Sequence, residues 1–298
     1  MLRPFSRHAL IRIARRLPSG LLATLAALGW LVPAAAQQII HTEPSMFSPI
    51  VVYEARGERC MAFGSVQALG RQTCRDLKQP ERLVFQYTQM VLSALWLQPD
   101  PQRILIVGLG GGTLPMALAG LFPQAVIDTV EIDPAVLRVA RTYFGYRPGE
   151  RQRIHVADGR AHIEAAAARG EHYDLIILDA FDATYIPPHL MTRQFLETVK
   201  QLLSPGGVLA ANTFTSSRLY ERESATYAAV FGPYYQLRGG NRVILARPAG
   251  LPKLPELRTQ ALEHAADLAP LGVSTPQLLN LLGPMPNWPA DTEILSDP

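Results

Sequence analysis

An α/β fold with a mostly parallel sheet is what this sequence predicts, and three observations carry the prediction. Apolar runs alternate with amphipathic runs from residue 104 to 213. The first apolar run, Ile104-Leu105-Ile106-Val107, ends in the glycine turn Gly108-Leu109-Gly110-Gly111-Gly112. The next one, about twenty residues on, ends in an acid within Val130-Glu131-Ile132-Asp133. A glycine turn lets backbone approach a ligand, and an acid at the next strand end accepts hydrogen bonds from ribose hydroxyls. The pair is therefore the signature of a Rossmann-like sheet that grips a nucleoside. Gly108-x-Gly110-x-Gly112 is tighter than the G-x-G-x-x-G of dinucleotide sites and favours a ligand without pyrophosphate, such as S-adenosylmethionine.

Along the chain, residues 1–36 read as a signal peptide. Arg3, Arg7, Arg12, Arg15 and Arg16 form a basic start, Leu21 to Val32 an apolar stretch, and Ala34-Ala35-Ala36 a cleavage signal before Gln37. The apolar stretch is short for a span of about 20 residues and meets Pro33, so membrane association is expected only if the leader stays uncleaved. Export, to the periplasm, is the expectation. Ile50-Val51-Val52-Tyr53 and Cys60-Met61-Ala62-Phe63 flank a polar turn and predict a β-hairpin. Leu83, Tyr87, Met90, Val91, Ala94 and Leu95 fall at helical spacing, predicting a helix over 82–97 that leads to Pro99 and Pro101.

Strands are then expected at 104–108, 126–131, 153–156, 174–179 and 207–213. Helices are expected from Leu114 and at 134–143, 161–169 and 189–203. Tyr234 to Leu237 and Arg242 to Ala246, separated by Gly239-Gly240-Asn241, predict a closing antiparallel hairpin. The organisation reads as leader 1–36, β module and linking helix 37–98, Rossmann-like domain 99–250 and C-terminal tail 251–298. The tail is proline-rich, with one amphipathic stretch near 256–268, and no chemistry is assigned to it.

Composition narrows the partners. The leader holds five of the 28 basic residues and none of the 25 acidic ones, so the remainder carries 23 against 25, near net −2. Phosphate binding needs a surplus of Lys and Arg, so a nucleic-acid partner is not expected, whereas a small cationic substrate is compatible. Cys60 and Cys74 are the two cysteines. In an oxidising compartment an even pair in a hairpin region predicts a disulfide, worth about 3 kcal/mol in the chain-entropy model, with two buried thiols as the alternative. Neither His nor further Cys sits at ligand spacing, so no metal is expected.

In open α/β sheets ligands bind outside the carboxyl ends of the strands. Glu131 ends the second strand, Asp158-Gly159 follow the third, Asp179-Ala180-Phe181-Asp182 end the fourth, and Asn212-Thr213 end the fifth. Asp158 suits an adenine amine, Gly159 letting the base lie close, or else caps the following helix. Asp179 and Asp182 form a negative pocket that can hold an ammonium group and take its proton, or one of them caps a helix and the other is solvated.

Asp179 to Phe195, DAFDATYIPPHLMTRQF, aligns without a gap to D-S-S-D-P-V-G-P-x-x-x-L-F-T-x-x-F, matching at Asp179, Asp182, Leu190, Thr192 and Phe195. Through this stretch, Val130 to Asp133 and Asp158-Gly159, residues 104–212 resemble the spermidine synthase family of polyamine aminopropyltransferases, most closely its divergent secreted or membrane-associated branch. The resemblance implies an S-adenosylmethionine-dependent transferase fold with a small N-terminal β-hairpin module. It also implies aminopropyl transfer from decarboxylated S-adenosylmethionine, as a transient cosubstrate, to a diamine such as putrescine. On the nucleoside side it places Gly108, Gly110, Gly112, Glu131, Asp158 and Gly159. Val84 to Met90 resembles the family's E-F-x-Y-x-E-M, which implies a substrate-side role for Tyr87; plain core packing is the alternative.

The departures are as informative. Gly111 stands where the family has an acid that contacts the aminopropyl side, Val84 and Gln89 replace glutamates, Ala183 and Ile186 replace prolines, and Ser48 replaces a glutamine. Three readings therefore stand: aminopropyl transfer with Asp179 as base and anchor, methyl transfer from S-adenosylmethionine, and a non-catalytic periplasmic polyamine or nucleoside binder. Homo-oligomerisation is open.

Overall fold

A computed structural model describes residues 37–64, 71–181 and 185–298. Residues 1–36, read above as a signal peptide, lie outside the described residues, as do Asp182 and Ala183. A small antiparallel sheet comes first, ordered β1 (Gln38–Glu43), β2 (Ile50–Ala55), β3 (Glu58–Phe63), β4 (Arg71–Asp76). The expected hairpin is β2–β3, and the flanking strands are additions. Neither QIIHTE nor RQTCRD alternates cleanly between apolar and polar, so periodicity gives no signal for them. Cys60 and Cys74 sit directly opposite on β3 and β4 and are disulfide-bonded.

The helix expected over 82–97 is shorter. Leu83 is extended, bridging to Arg75 and donating its amide to Leu271 O at 2.9 Å, and α1 covers Gln86–Val91 before a tighter turn over 92–96. The main sheet then builds as β5 (Arg103–Val107), α2 (Thr113–Leu121), β6 (Val126–Glu131), α3 (Pro134–Tyr143), β7 (Gln152–Val156), α4 (Gly159–Ala168), β8 (Tyr173–Leu178), α5 (Arg193–Leu202) and β9 (Leu203–Phe214). It closes with α6 (Tyr220–Phe231), β10 (Tyr235–Arg238) and β11 (Asn241–Ala246). With β12 (Leu282–Pro284) at one edge, the strand order is β12-β10-β11-β9-β8-β5-β6-β7, with β5 to β9 parallel.

Residues 251–298 belong to this layer. They form α7 (Leu254–Glu263), α8 (Ala265–Leu268), α9 (Thr275–Leu281) and the short β12 (Leu282–Pro284), which pairs with β10. The period-two alternation of β5 sorts the core into two layers. Ile104 and Ile106 pack with α2 and with Leu257, Ala261 and Leu278 of the C-terminal helices, while Leu105 and Val107 pack with α4, α5 and α6. Each fully buried aliphatic side chain contributes roughly 2 kcal/mol, more than the roughly 1 kcal/mol of a cap such as Thr192 on α5. Packing therefore holds the helices, and caps set where they start. The small sheet lays Ile50, Val52 and Met61 against Val136 and Val139 of α3, which brings β4 over the end of β5.

Candidate active site

β5 is where the strand order reverses: β6 and β7 lie to one side of it, β8 and β9 to the other. Ligands bind at such switch points. Gly108, the first residue past β5, has φ +104°, and a Cβ there would lie 2.3 Å from Asp179 O. Only glycine permits both this backbone conformation and the close passage of the β8 exit. Gly108 N donates to Val130 O and Asp179 N to Val107 O, each at 2.8 Å, so the exits of β5, β6 and β8 are tied together.

The strand-end acids take distinct places around this turn. Glu131 Oε2 accepts from Leu109 N at 3.0 Å and Oε1 from Asp133 N at 2.9 Å, holding the carboxylate beside the turn. Burial pushes its pKa up, against the pull of those amides. Asp133 caps α3 through Ala135 N at 2.8 Å, and its other oxygen accepts from Met46 N at 2.9 Å, fastening the β1–β2 connection to the site. Asp158 is the helix cap that the second of its two readings expects: Oδ1 accepts from Ala161 N at 2.9 Å, while the residue also lines the cavity with Oδ2 3.0 Å from His189 Nε2. Burial acts to raise the Asp158 pKa, but the Ala161 and His189 hydrogen bonds bring it below the ordinary range.

Asp179 lies at the β8 exit, against the glycine turn. Its Oδ1 accepts from Asn212 Nδ2 at 2.8 Å, Asn212 is itself held by Asn241 Nδ2 at 3.1 Å, and the Tyr87 hydroxyl also bonds the Asp179 carboxylate. Burial pushes the Asp179 pKa up to about 7 despite these two hydrogen bonds. Tyr87 packs against the core, as one of its two readings expects, and its hydroxyl reaches Asp179. The loop after β8 is seated by Phe181 and Tyr185 on the Phe214 ring. Beneath it a buried pair, Arg242 Nη2 to Glu223 Oε2 at 3.1 Å, also binds Thr213 and Ser224, and Tyr185 bonds Glu223.

These groups surround a cavity of about 280 Å³. Tyr87, Gly108, Gly110, Glu131, Asp158, Gly159 and Asp179 line it; Gly112 instead packs against Tyr146 at the start of α2. Asp182 is outside the described residues. Sequence reasoning missed the β4 pair Gln72 and Thr73, the aromatic wall of Phe47 and Phe63, and His189. β4 carries no periodic signal, Phe47 lies on a connection without strand or helix spacing, and His189, expected to open the 189–203 helix, instead sits in the turn before α5, which starts at Arg193. Glu131, Asp133, Asp158 and Asp179 put four carboxylates on the wall, with neither lysine nor arginine among the described lining residues. That field repels phosphates and favours a cation.

Comparison with known proteins agrees with this geometry. A sequence profile described as the spermine/spermidine synthase domain matches residues 84–235. A polyamine aminopropyltransferase of Vibrio vulnificus (strain CMCP6) is 44% identical over 264 residues, 87% of this chain and 88% of the other. The chain belongs to the spermine/spermidine synthase family. Among solved structures, a probable spermidine synthase from Corynebacterium glutamicum superposes on this family member with TM-score 0.69 at 21% identity, covering 87% of this chain and 96% of the other. Human methyltransferase-like protein 13 in complex with SAH gives TM-score 0.55 at 30% identity, covering 71% and 98%. An S-adenosylmethionine-related cosubstrate therefore fits this synthase-family cavity.

Proposed function

We propose that the chain transfers an aminopropyl group from decarboxylated S-adenosylmethionine to a small amine such as putrescine. The observation that carries this reading is Asp179: a carboxylate held by Asn212 and Tyr87 in the lining of a cavity rich in acids and, among its described lining residues, free of lysine and arginine. Glu131 takes the ribose hydroxyls and Asp158 the base. The acceptor is an alkylammonium with a pKa near 10.4, so it must lose a proton before it can attack. Raised to about 7, Asp179 is a stronger base than an ordinary carboxylate, which narrows that gap. Asp179 takes that proton first; the neutral amine nitrogen then attacks the carbon beside the sulfonium, the new N–C bond forms as the C–S bond breaks, the thioether nucleoside leaves neutral, and the positive charge leaves on the product as a secondary ammonium. Positive charge on sulfur has already activated the leaving group, so orientation supplies much of the rate.

Methyl transfer is the second reading, favoured by Gly111 at the family's acid position. The test is to incubate the protein with putrescine and either decarboxylated or ordinary S-adenosylmethionine and to identify products by mass spectrometry. Aminopropylated amine is expected, with kcat lowered by roughly a hundredfold or more in Asp179→Asn. Methylated product moves the assignment to the second reading, and tight binding without turnover to a binding protein. Export is part of the proposal, supported by the leader-like residues 1–36 and the Cys60–Cys74 bond. A protein found in the cytosol with its N-terminus intact would refute it.

A further inference from the structure

Neither the glycine turn nor the strand-end acids account for Thr73. It is 4% exposed, it lines the cavity from β4, and among the described residues its hydroxyl has no hydrogen-bond partner. The hydroxyl is not enclosed by protein, and on a residue that lines the cavity it is free to pair with a polar atom of a bound ligand. Its position is specific. A Cβ on Gly111 would lie 2.8 Å from Thr73 Cγ2 and 2.9 Å from Thr73 Oγ1, with Phe144 Cδ1 at 3.1 Å. Thr73 thus fills the space that any side chain at position 111 would need.

The turn beneath it runs from Gly108, against Asp179, to Leu109, whose amide holds Glu131. A ligand with its ribose at Glu131 and its reacting carbon near Asp179 would lay the rest of its sulfur-borne arm across Gly110, where a Cβ added to the glycine would lie 3.8 Å from Thr73 Cβ. We propose that the Thr73 hydroxyl is the polar contact for the cosubstrate arm beyond sulfur, making a β4 residue rather than the glycine turn the determinant of which arm is accepted. The inference rests on the nucleoside-sulfonium reading above.

The test is calorimetric binding to wild type, Thr73→Val and Thr73→Ser. Two probes are used: decarboxylated or ordinary S-adenosylmethionine, whichever wild type binds more tightly, and 5′-methylthioadenosine, which lacks the arm. Valine keeps the shape and β-branching of threonine and removes one hydrogen bond. Thr73→Val is expected to weaken the arm-bearing ligand about fivefold and leave 5′-methylthioadenosine within about twofold, with Thr73→Ser close to wild type. Equal weakening of both ligands by valine would assign Thr73 a structural role and overturn the proposal. So would unchanged affinity for both. If wild type binds neither ligand, the nucleoside reading itself falls and takes this one with it; if wild type binds both and valine is indifferent, only this one falls.

Discussion

The burial that raises the Asp179 pKa also works against folding at neutral pH. Its pKa is about 7 in the folded chain against about 3.9 for an unperturbed aspartate. Between those values the folded state binds more protons than the unfolded one, so the contribution of this carboxyl to stability is greatest below about pH 4 and is lost as pH rises through 7. Glu223, also raised to about 7, adds a slope of the same sign, so the comparison with Asp179→Asn isolates the site acid. Urea midpoints of ligand-free wild type are expected to fall more from pH 4 to 7 than those of Asp179→Asn, and parallel curves would show that burial is not the cause. In the active protein kcat/KM is expected to rise with pH through about 7 as Asp179 deprotonates. Gly108→Ala places a methyl group against Asp179 O and strains φ; a loss of about 1–3 kcal/mol in denaturant titration is expected. Residues of this kind are legible in sequence because a strand end fixes where they point. Thr73 was not legible, because its role depends on which loop β4 happens to cover.

Elements read from the sequence in proportion to their periodicity. The five parallel strands, their helices and the β10–β11 hairpin were legible because buried runs of Ile, Val and Leu alternate with amphipathic stretches. β1, β4 and β12 were not, since two are polar edge-like strands and the third spans three residues. What holds β4 is covalent as well as hydrogen-bonded. Replacing both Cys60 and Cys74 by serine is expected to cost about 3 kcal/mol, seen as a lower denaturation midpoint, with reductant bringing wild type down to the same value. Between β11 and α6 the tie is ionic: Arg242 and Glu223 are 0% and 1% exposed. Arg242→Met strands Glu223 without its cation beneath the loop after β8. A loss of about 3–5 kcal/mol is expected by urea unfolding, and a loss under 1 would mean that the pair contributes little.

At the scale of the molecule, the sheet and the segment after residue 250 share one apolar layer, and proline content gave no hint of it. Leu257 and Ala261 are fully buried against the same layer as Ile104 and Ile106. Leu257→Ala is therefore expected to lower global stability by about 2–5 kcal/mol in a single transition followed by circular dichroism; a separate early transition would mean that the segment folds apart from the sheet. The two sheets meet at the glycine turn, so the cavity has one wall from each. That arrangement gives the cross-strand bond a meaning outside stability. Cys74 directly follows Thr73, so the bond that staples β4 to β3 also steadies the strand from which Thr73 enters the cavity. Opening this bond would therefore free one wall of the cavity as well as lower stability, so the redox state of the preparation is a variable of any binding measurement on this protein.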